Sequence, residues 1–457
     1  MAAATWATLT AASAPSVKQA DKLIILSTTD VKGKTSPCGC STPKGGLARR
    51  ASFIDSMRAD YGRIVVVDAG GYFPEQDTHR DVAAFMMDAM KLLNLDALGV
   101  GERDLRFGLA YLRQEVARTQ APVVSANLYD KGGRKPIFPP YRITSVGGVK
   151  VGFFSLISPK VPLGPAQDSL SVIAPEVAAR KVVAELRRKG VNAVVLLTQL
   201  GKVESEDLSA AVDGIDALVI GHNVPVLPKG RMIKSTVAVY GGEQGQYMGR
   251  TLLNLDAKGK VLGGDAETYM LGPSIPEHPE VLKLVKSFED GFNEKMRAAE
   301  KARSEQIQKE KGEDQFLGAD LCTRCHVDEA EQWKTTSHSI AWQTLIDVKK
   351  DATPDCIPCH VVGYKQAGGF QSSSDVPRLA NVQCENCHGM GTQHDAFAHG
   401  SQGVTEQACI KCHQGENDPN FVFAAYLPKI AHSNLSGETI KNKKTPTPDM
   451  MRGHGSH

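Results

Sequence analysis

Short apolar runs alternate with amphipathic stretches along residues 22–275. The runs predict buried strands at residues 23–27, 64–68, 123–125, 194–197 and 217–220. Between them, Val82, Phe85, Met86 and Ala89 recur with the i, i+3, i+4, i+7 spacing of one helical face. A second amphipathic stretch covers residues 174–189. Strands that alternate with helices in this way predict a layered α/β sandwich.

A hairpin interrupts this alternation near the middle of the domain. Residues 141–144 and 149–155 both have strand character, and Gly147 and Gly148 lie between them. A glycine pair between two such runs is typical of a tight β-turn, so we predict two antiparallel strands here.

A long amphipathic helix is predicted over residues 278–311, where the composition changes to Lys, Glu, Ala and Gln. Its apolar stripe, spaced by three and four residues, consists of Val281, Val285, Phe288, Phe292, Met296 and Ala299. This stripe must be buried against something. We expect it to brace the domains on either side, with a partner protomer as the alternative.

Size and charge exclude several classes of protein. The chain has 457 residues, which suggests two or three domains, and a formal net charge of +2. A balance of 53 basic and 51 acidic residues gives no indication of a nucleic-acid partner. No run of about 18 apolar residues is present, so no transmembrane span is predicted.

The chemistry is concentrated between Cys322 and His413. The pattern Cys-Xaa-Xaa-Cys-His occurs there four times, at residues 322–326, 356–360, 384–388 and 409–413. This pattern is the attachment signature of c-type haem, because two cysteines on one turn can form thioethers to a porphyrin while the next residue ligates iron. Four copies use eight of the ten cysteines: Cys322, Cys325, Cys356, Cys359, Cys384, Cys387, Cys409 and Cys412. We therefore predict four haem c groups, with His326, His360, His388 and His413 as proximal iron ligands.

Covalent haem attachment takes place outside the cytoplasm, so we expect a periplasmic or extracellular protein. Its N-terminus supports this only in part, because Ala12-Ser13-Ala14 is typical of a signal-peptidase site but the first lysine is Lys18. The predicted organisation is a signal-like or disordered segment over residues 1–20, an α/β domain over 21–275, a helical linker over 276–316, a mainly α tetrahaem domain over 317–440 and a tail over 441–457.

The α/β domain resembles the 5′-nucleotidase type of metallophosphoesterase. The matching segments are LSTTD (26–30), GGLAR (45–49), VDAGG (67–71), GERD (101–104), LTQLG (197–201) and IGH (220–222). Of the side chains that hold two metal ions in that family, the resemblance leaves only Asp30 and His222. The other positions carry Lys32, Gly71, Glu102, Arg103, Gln199 and Val224. Loss of the bridging carboxylate at Gly71 argues against a two-metal hydrolase. The added Lys32 and Arg103 predict a pocket that repels cations and favours an anion, and a second metal there stays an open question.

The two remaining cysteines, Cys38 and Cys40, lie in a loop that borders the metal pocket in the family fold. Three interpretations stay open. In the first, the pair forms a strained disulfide or remains as two inert thiols. In the second, the two thiolates bind a soft metal together with His222. In the third, the pair is redox-active toward a sulfur or selenium species, and Lys32 lowers the pKa of its thiols. These two cysteines are our candidates for a catalytic role.

The four-motif region resembles the tetrahaem cytochrome family that serves hydroxylamine oxidation. The matching segments are WKTTSH (333–338), CENCHGMG (384–391) and FAAYLPKIAH (423–432). The resemblance implies His338, His394 and His432 as distal iron ligands. His399 is the candidate for the fourth iron or is a surface residue, and His454 and His457 in the tail could ligate a haem of a neighbour.

We expect an electron-transfer protein with redox-protein partners. A first alternative is a redox enzyme in which one open haem, or the Cys38/Cys40 site, acts on a small nitrogen or sulfur compound. The tetrahaem family that this region resembles includes a member in which one haem lacks a distal side chain. Further alternatives are a phosphohydrolase with a haem appendage, which the lost ligands disfavour, and self-association into a haem-stacked filament.

Overall fold

The computed structural model describes residues 19–38, 42–76, 78–309, 315–393, 404–415 and 417–432. These residues form two compact units, and the boundary between them lies after Val285. Within the described residues, no helix has both the length and the apolar composition that a bilayer-spanning segment needs.

The first sheet of the N-terminal unit has the order β13-β12-β1-β2-β3. Its strands are β1 (Lys22–Thr28), β2 (Ile64–Asp68), β3 (Ala97–Leu98), β12 (Tyr247–Leu255) and β13 (Val261–Met270). β1, β2 and β3 run parallel, and β12 and β13 add antiparallel strands beside β1. The ends of β1 and β2 therefore lie side by side, which brings the residues that follow them together.

The second sheet has the order β10-β11-β9-β8-β6-β5. Its strands are β5 (Arg142–Val146), β6 (Val149–Ile157), β8 (Ala193–Gln199), β9 (Ala217–Ile220), β10 (Arg231–Ile233) and β11 (Thr236–Tyr240). β6, β8, β9 and β11 run parallel, whereas β5 and β10 are antiparallel edge strands. A separate pair, β4 (Leu128–Asp130) and β7 (Leu170–Val172), lies outside both sheets.

The two sheets pack face to face over one apolar core. Side chains of β1, β2 and β12 meet those of β6, β8, β9 and β11, for example Ile25, Val67, Phe153 and Val195. A second core packs helix α4 (Pro175–Arg188) and helix α5 (Lys202–Ala211) against the other face of the second sheet. Helices α1 (Leu47–Asp60), α2 (Arg80–Leu92) and α3 (Leu109–Thr119) complete the unit. The predicted layered α/β fold is thus confirmed.

Two expectations about strands need correction. Residues 123–125 form no strand, because Val123 makes only an isolated bridge to Leu98. The apolar runs also predict no strand beyond residue 220, yet β10 to β13 complete both sheets. The last of these, β13, has one buried residue and contains Gly263 and Gly264, so it lacks the apolar run that marks a buried strand.

Helix α6 (Pro279–Lys309) is the predicted long helix, and it supplies residues to both units. In the N-terminal unit, Val281 and Val285 are buried. In the C-terminal unit, the Arg297 guanidinium contacts both carboxylate oxygens of Asp351 at 2.8 and 2.7 Å. The apolar stripe is therefore buried at its first turns, and a bidentate ion pair holds the helix farther along.

The C-terminal unit consists of short helices joined by turns. They are α7 (Ala319–Cys322), α8 (Val327–Lys334), α9 (Ala341–Asp347), α10 (Val376–Leu379), α11 (Cys384–His388), α12 (Glu406–Cys409) and α13 (Phe423–Ile430). The apolar core of this unit is small and surrounds the second motif. It contains Phe316, Trp342, Leu345, Ile357, Val361, Val362, Phe370, Leu379 and Ala380.

Candidate functional site

Each Cys-Xaa-Xaa-Cys-His motif lies on a single helical turn or next to one. Cys322 ends α7, Cys384 begins α11 and Cys409 ends α12, while residues Ile357–Cys359 form a turn of 3-10 helix. The N–H of His326 donates to the carbonyl of Cys322 at 3.0 Å, and the same bond recurs at the fourth motif at 2.9 Å. This turn presents two thiols and an imidazole together, as haem attachment requires.

The motifs adjoin one another in an order different from their order in the chain. The thiol of Cys322 is within hydrogen-bonding range of Cys384, and that of Cys359 is within range of Cys412. Helix α11, which carries Cys384 and Cys387, contacts both α7 and α12. The first attachment site therefore adjoins the third, the third adjoins the fourth, and the fourth adjoins the second.

Two pairs of imidazole rings have their centres at a separation that would accommodate an iron atom between them. The ring centres of His338 and His413 are 6.2 Å apart, and those of His388 and His432 are 6.3 Å apart. Two metal–nitrogen bonds of about 2 Å, with about 1 Å from each nitrogen to its ring centre, give a separation of about 6 Å. The residues present therefore fit two haem irons held by paired histidines.

In two of the predicted proximal histidines, one ring nitrogen is fixed by a hydrogen bond. His360 Nδ1 donates to the carbonyl of Ala341 at 2.5 Å, and His413 Nδ1 donates to Asp418 Oδ2 at 2.7 Å. An occupied Nδ1 leaves Nε2 as the free ligand atom. Burial and the neighbouring His413 lower the pKa of His338 to about 4, which keeps its imidazole in the neutral form that binds metal.

All four predicted distal ligands, His338, His394, His399 and His432, stay predictions. His394 and His399 lie outside the described residues, as do His454 and His457.

A buried polar cluster next to the third motif holds three haem segments together. Glu385 is 4% exposed, and its carboxylate accepts the N–H groups of Leu317 at 2.8 Å, Gly318 at 2.8 Å and Gly391 at 2.6 Å. The amide of Asn386 donates to the carbonyl of Val361 at 2.9 Å. These contacts tie the third motif to the segments that carry the first and second motifs.

This cluster is absent from the residues predicted from the sequence, although the sequence contains a signal for it. Gln383 accepts the N–H of Ala319 at 2.6 Å and donates to the carbonyl of Ala380 at 2.7 Å. The two residues between the cysteines are Glu-Asn in the third motif, whereas they are Ile-Pro and Ile-Lys in the second and fourth. A wholly polar, acid-containing pair inside a helical turn is the feature that distinguishes this copy.

In the N-terminal unit, Asp30 and His222 lie close together after β1 and β9. Asp30 Oδ2 accepts the hydroxyl of Thr29 and the backbone N–H of His222, both at 2.8 Å. Burial raises the pKa of Asp30. His222 Nδ1 lies 3.4 Å from Glu102 Oε2. This contact raises the pKa of His222 against the effect of burial, and it lowers the pKa of Glu102 although burial opposes that shift.

Carboxylates compensate both added cations of this pocket. Lys32 pairs with Glu243, and Arg103 Nη1 lies 2.7 Å from Glu75 Oε1. The sequence predicts that Lys32 and Arg103 make this pocket repel cations and favour an anion, and the two carboxylates oppose the positive charge that these side chains bring. Ion pairs within the protein stand where the family resemblance implies metal ligands.

The remaining family positions are used structurally. Gln199 is 1% exposed, and its amide donates to Thr29 Oγ1 at 3.0 Å and to the carbonyl of Gly70 at 3.1 Å. Gly71 has φ +77°, and a Cβ at that position would lie 2.7 Å from Asp30 Oδ1. Val224 is buried in the apolar core. An aspartate that bridges two metals does not fit this backbone at position 71 without rearrangement.

No group of three or more His, Cys, Asp or Glu side chains able to hold a metal occurs within the described residues. The residual metal site at Asp30 and His222 stays a prediction. Cys38 Sγ accepts the N–H of Lys44 at 3.4 Å, while Cys40 lies outside the described residues. The structure therefore leaves the three interpretations of the cysteine pair open.

Comparison with known proteins assigns a different relationship to each half of the chain. The family model described as Cytochrome c554 and c-prime matches residues 321–389. The snake venom 5′-nucleotidase of Naja atra is 29% identical over 307 residues, which cover 57% of this chain and 55% of that protein. A 2′,3′-cyclic-nucleotide 2′-phosphodiesterase/3′-nucleotidase of Salmonella typhimurium is 28% identical over 218 residues, 41% of this chain and 34% of that protein. The chain spans about half the length of the 5′-nucleotidases it matches.

Solved structures agree with the fold of the N-terminal unit. The 5′-nucleotidase precursor from Thermus thermophilus has a TM-score of 0.51 and 25% identity, and the match covers 59% of each chain. The calcineurin-like phosphoesterase YfkN from Bacillus subtilis has a TM-score of 0.52 and 19% identity, over 59% of this chain and 97% of that chain. The N-terminal half thus matches the 5′-nucleotidase-type metallophosphoesterase domain, and the cytochrome match supports the predicted nature of the C-terminal part.

Proposed function

We propose that this chain is an exported c-type cytochrome that carries electrons through four haems, joined to a phosphoesterase-like unit that does not hydrolyse phosphoesters. The observation that carries the proposal is the spacing of the two imidazole pairs, 6.2 Å for His338 and His413 and 6.3 Å for His388 and His432. An iron with two axial imidazoles is coordinatively full, so it exchanges electrons and does not bind substrate.

The chain's own residues would hold and orient the cofactors. The eight motif cysteines would form the thioethers, and His326, His360, His388 and His413 would be the proximal ligands. Haem supplies a one-electron couple when it is bound. The proximity of Cys322 to Cys384 and of Cys412 to Cys359, with the contact between helices α11 and α12, supports a continuous row of attachment sites in the order first, third, fourth, second.

The polar cluster around Glu385 supports the same function, because electron carriers need fixed spacing between cofactors. A buried carboxylate with three backbone donors permits little movement between the first and third attachment sites. Hydrogen bonds from Nδ1 of His360 and His413 hold those two rings in one orientation. The periplasmic or extracellular location follows from the same proposal, since haem c is attached outside the cytoplasm.

Ion pairs at the positions of the family's metal ligands support the proposal that the N-terminal unit does not hydrolyse phosphoesters. His222 is engaged with Glu102, Lys32 with Glu243, and Gly71 lacks the bridging carboxylate. A two-metal mechanism needs carboxylates free to neutralise both cations. We propose that this unit serves docking or carries a second redox site at Cys38 and Cys40.

Haem quantification and electron paramagnetic resonance of the oxidised protein test the proposal. Four haems per chain with low-spin signals throughout are expected. Fewer than four haems would contradict the carrier assignment. A high-spin fraction near one in four would instead favour the alternative of a redox enzyme with one open iron, acting on a small nitrogen or sulfur compound.

A phosphatase assay with added manganese or zinc tests the N-terminal unit separately. We expect no turnover of nucleotides above a metal-only blank. Metal-dependent turnover that disappears in an Asp30→Asn variant would establish the hydrolase and refute this part of the proposal.

A further inference from the structure

Asp418, Phe421 and Tyr426 together form a polar and aromatic cage around His413, the proximal histidine of the fourth motif. Asp418 Oδ2 accepts the Nδ1 proton of His413 at 2.7 Å, and its Oδ1 lies 3.3 Å from the hydroxyl of Tyr426. Phe421 stacks on the His413 ring with the ring centres 5.0 Å apart and the planes 19° apart. The Tyr426 ring meets His413 edge-on at 5.6 Å. This cage fixes which nitrogen donates to Asp418 and leaves Nε2 for iron.

The second motif supplies a comparison within the same molecule. His360 Nδ1 donates to the backbone carbonyl of Ala341, which carries no charge, with Thr344 Oγ1 at 3.4 Å as a further neighbour. His413 donates to a carboxylate instead. The two attachment sites are neighbours, because Cys359 and Cys412 are within hydrogen-bonding range. Two adjacent haem sites therefore differ in the charge placed behind the proximal ligand.

We propose that Asp418 lowers the reduction potential of the haem iron ligated by His413, so that an electron shared by the neighbouring second and fourth sites resides at the second. This inference rests on the proposed four-haem function. It goes beyond that function by assigning a direction to one pair of sites and a positioning residue that sets it.

The physical reason is the charge that reaches the iron through the imidazole. A carboxylate that accepts the Nδ1 proton makes the ring a stronger electron donor, which favours Fe(III) over Fe(II). A backbone carbonyl polarises the ring much less. The step concerned is the gain of one electron by Fe(III), in which no bond forms or breaks and the Nδ1 proton stays between His413 and Asp418.

Potentiometric titration of the haem-loaded Asp418→Asn protein, followed by haem absorbance and electron paramagnetic resonance at fixed pH, tests the proposal. Asparagine keeps an acceptor oxygen and removes the charge. We expect one of four one-electron steps to shift toward easier reduction by about tenfold in its equilibrium constant, or about 59 mV. The low-spin signal of that haem should change with it, while the other three steps move less.

Two further variants distinguish the shift caused by Asp418 from the effect of removing any negative charge and from misfolding. Asp347→Asn removes an exposed carboxylate that accepts a hydrogen bond from the Gln343 amide at 2.9 Å, and it should shift no single step selectively. Tyr426→Phe removes a donor to Asp418, so the same step should shift in the opposite direction and by less. Four haems with potentials unchanged in Asp418→Asn would overturn this inference alone, whereas loss of the four-haem count in the unmodified protein would overturn the proposed function.

Discussion

Glu385 offers the sharpest test of how the haem-bearing unit is held together. Its carboxylate is 4% exposed and accepts three backbone N–H groups, two at Oε1 from Leu317 and Gly391 and one at Oε2 from Gly318. A Glu385→Gln substitution keeps the shape of the side chain. It replaces one acceptor oxygen by an NH2 group, which cannot accept a hydrogen bond.

The magnitude follows from the three contacts. If the glutamine oxygen takes the place of Oε1, the Gly318 N–H is left buried without an acceptor, at a cost of about 1–3 kcal/mol. The other two hydrogen bonds change from charged to neutral and lose about 1 kcal/mol each. Burial of a neutral amide in place of a carboxylate offsets part of this loss. We therefore expect the free energy of unfolding of this unit to fall by about 3 kcal/mol.

The assay is guanidinium unfolding of the haem-loaded protein, followed by circular dichroism in the Soret band, which reports only the haem-bearing unit. Glu331→Gln is the matched control, because Glu331 makes an exposed pair with Lys334 at 2.6 Å. Removal of such a surface pair changes stability by about 0–1 kcal/mol. If Glu385→Gln unfolds within about 1 kcal/mol of the unmodified protein, the three N–H contacts do not hold the unit together and the reasoning fails.

Three further predictions concern single sites in each unit. The ion pair of His222 and Glu102 should stabilise the N-terminal unit most between about pH 4.5 and 6.5. The raised pKa of His222 means that its contribution is lost as pH rises above its ordinary value of 6.5, and the lowered pKa of Glu102 means that its contribution is lost below 4.5. Thermal unfolding across pH should show this window and lose it in Glu102→Gln. His338→Ala should convert one low-spin haem to high-spin in the paramagnetic resonance spectrum, and an unchanged spectrum would exclude His338 as a ligand. Gly71→Asp should lower the unfolding midpoint of the N-terminal unit through about 1–2 kcal/mol of backbone strain at φ +77° plus the contact with Asp30, without restoring phosphatase turnover.

Local patterns carried most of what could be predicted. The attachment motifs are contiguous, so five residues suffice to identify each one, and the structure places them on single helical turns. Likewise, the runs at residues 23–27 and 64–68 form parallel strands β1 and β2. By contrast, β12 depends on a partner more than 200 residues away, as in the pairing of Ile24 with Leu252. The neighbouring strand β13 has a single buried residue, so it shows no apolar alternation to detect.

Charge compensation was the part of the site that local reasoning could not foresee. Lys32 and Glu243 are separated by 211 residues, and Arg103 and Glu75 by 28. A lysine in place of a metal-ligating histidine indicates a positive pocket only if nothing opposes it. The loop that follows β11 supplies the opposing carboxylate, and only the fold brings that loop to Lys32. The same limit applies to His338 and His413. The motif predicts His413 as a ligand and the resemblance implies His338, and neither indicates that the two form one pair.

The small apolar core of the C-terminal unit predicts that the proposed haems have a structural role as well as a redox one. Its buried apolar side chains gather around the second motif, near Ile357 and Phe370. Helix α13 begins at Phe423 and is strongly apolar, yet none of its residues is buried. The short helix α12 has no buried residue either. An apolar helix with no protein core beneath it is stable when another apolar surface covers it. Porphyrins attached at Cys409 and Cys412, beside α12, would supply that surface. Attachment and folding of this unit are then linked, and loss of haem attachment at the fourth motif should destabilise α13 before it affects the core around the second.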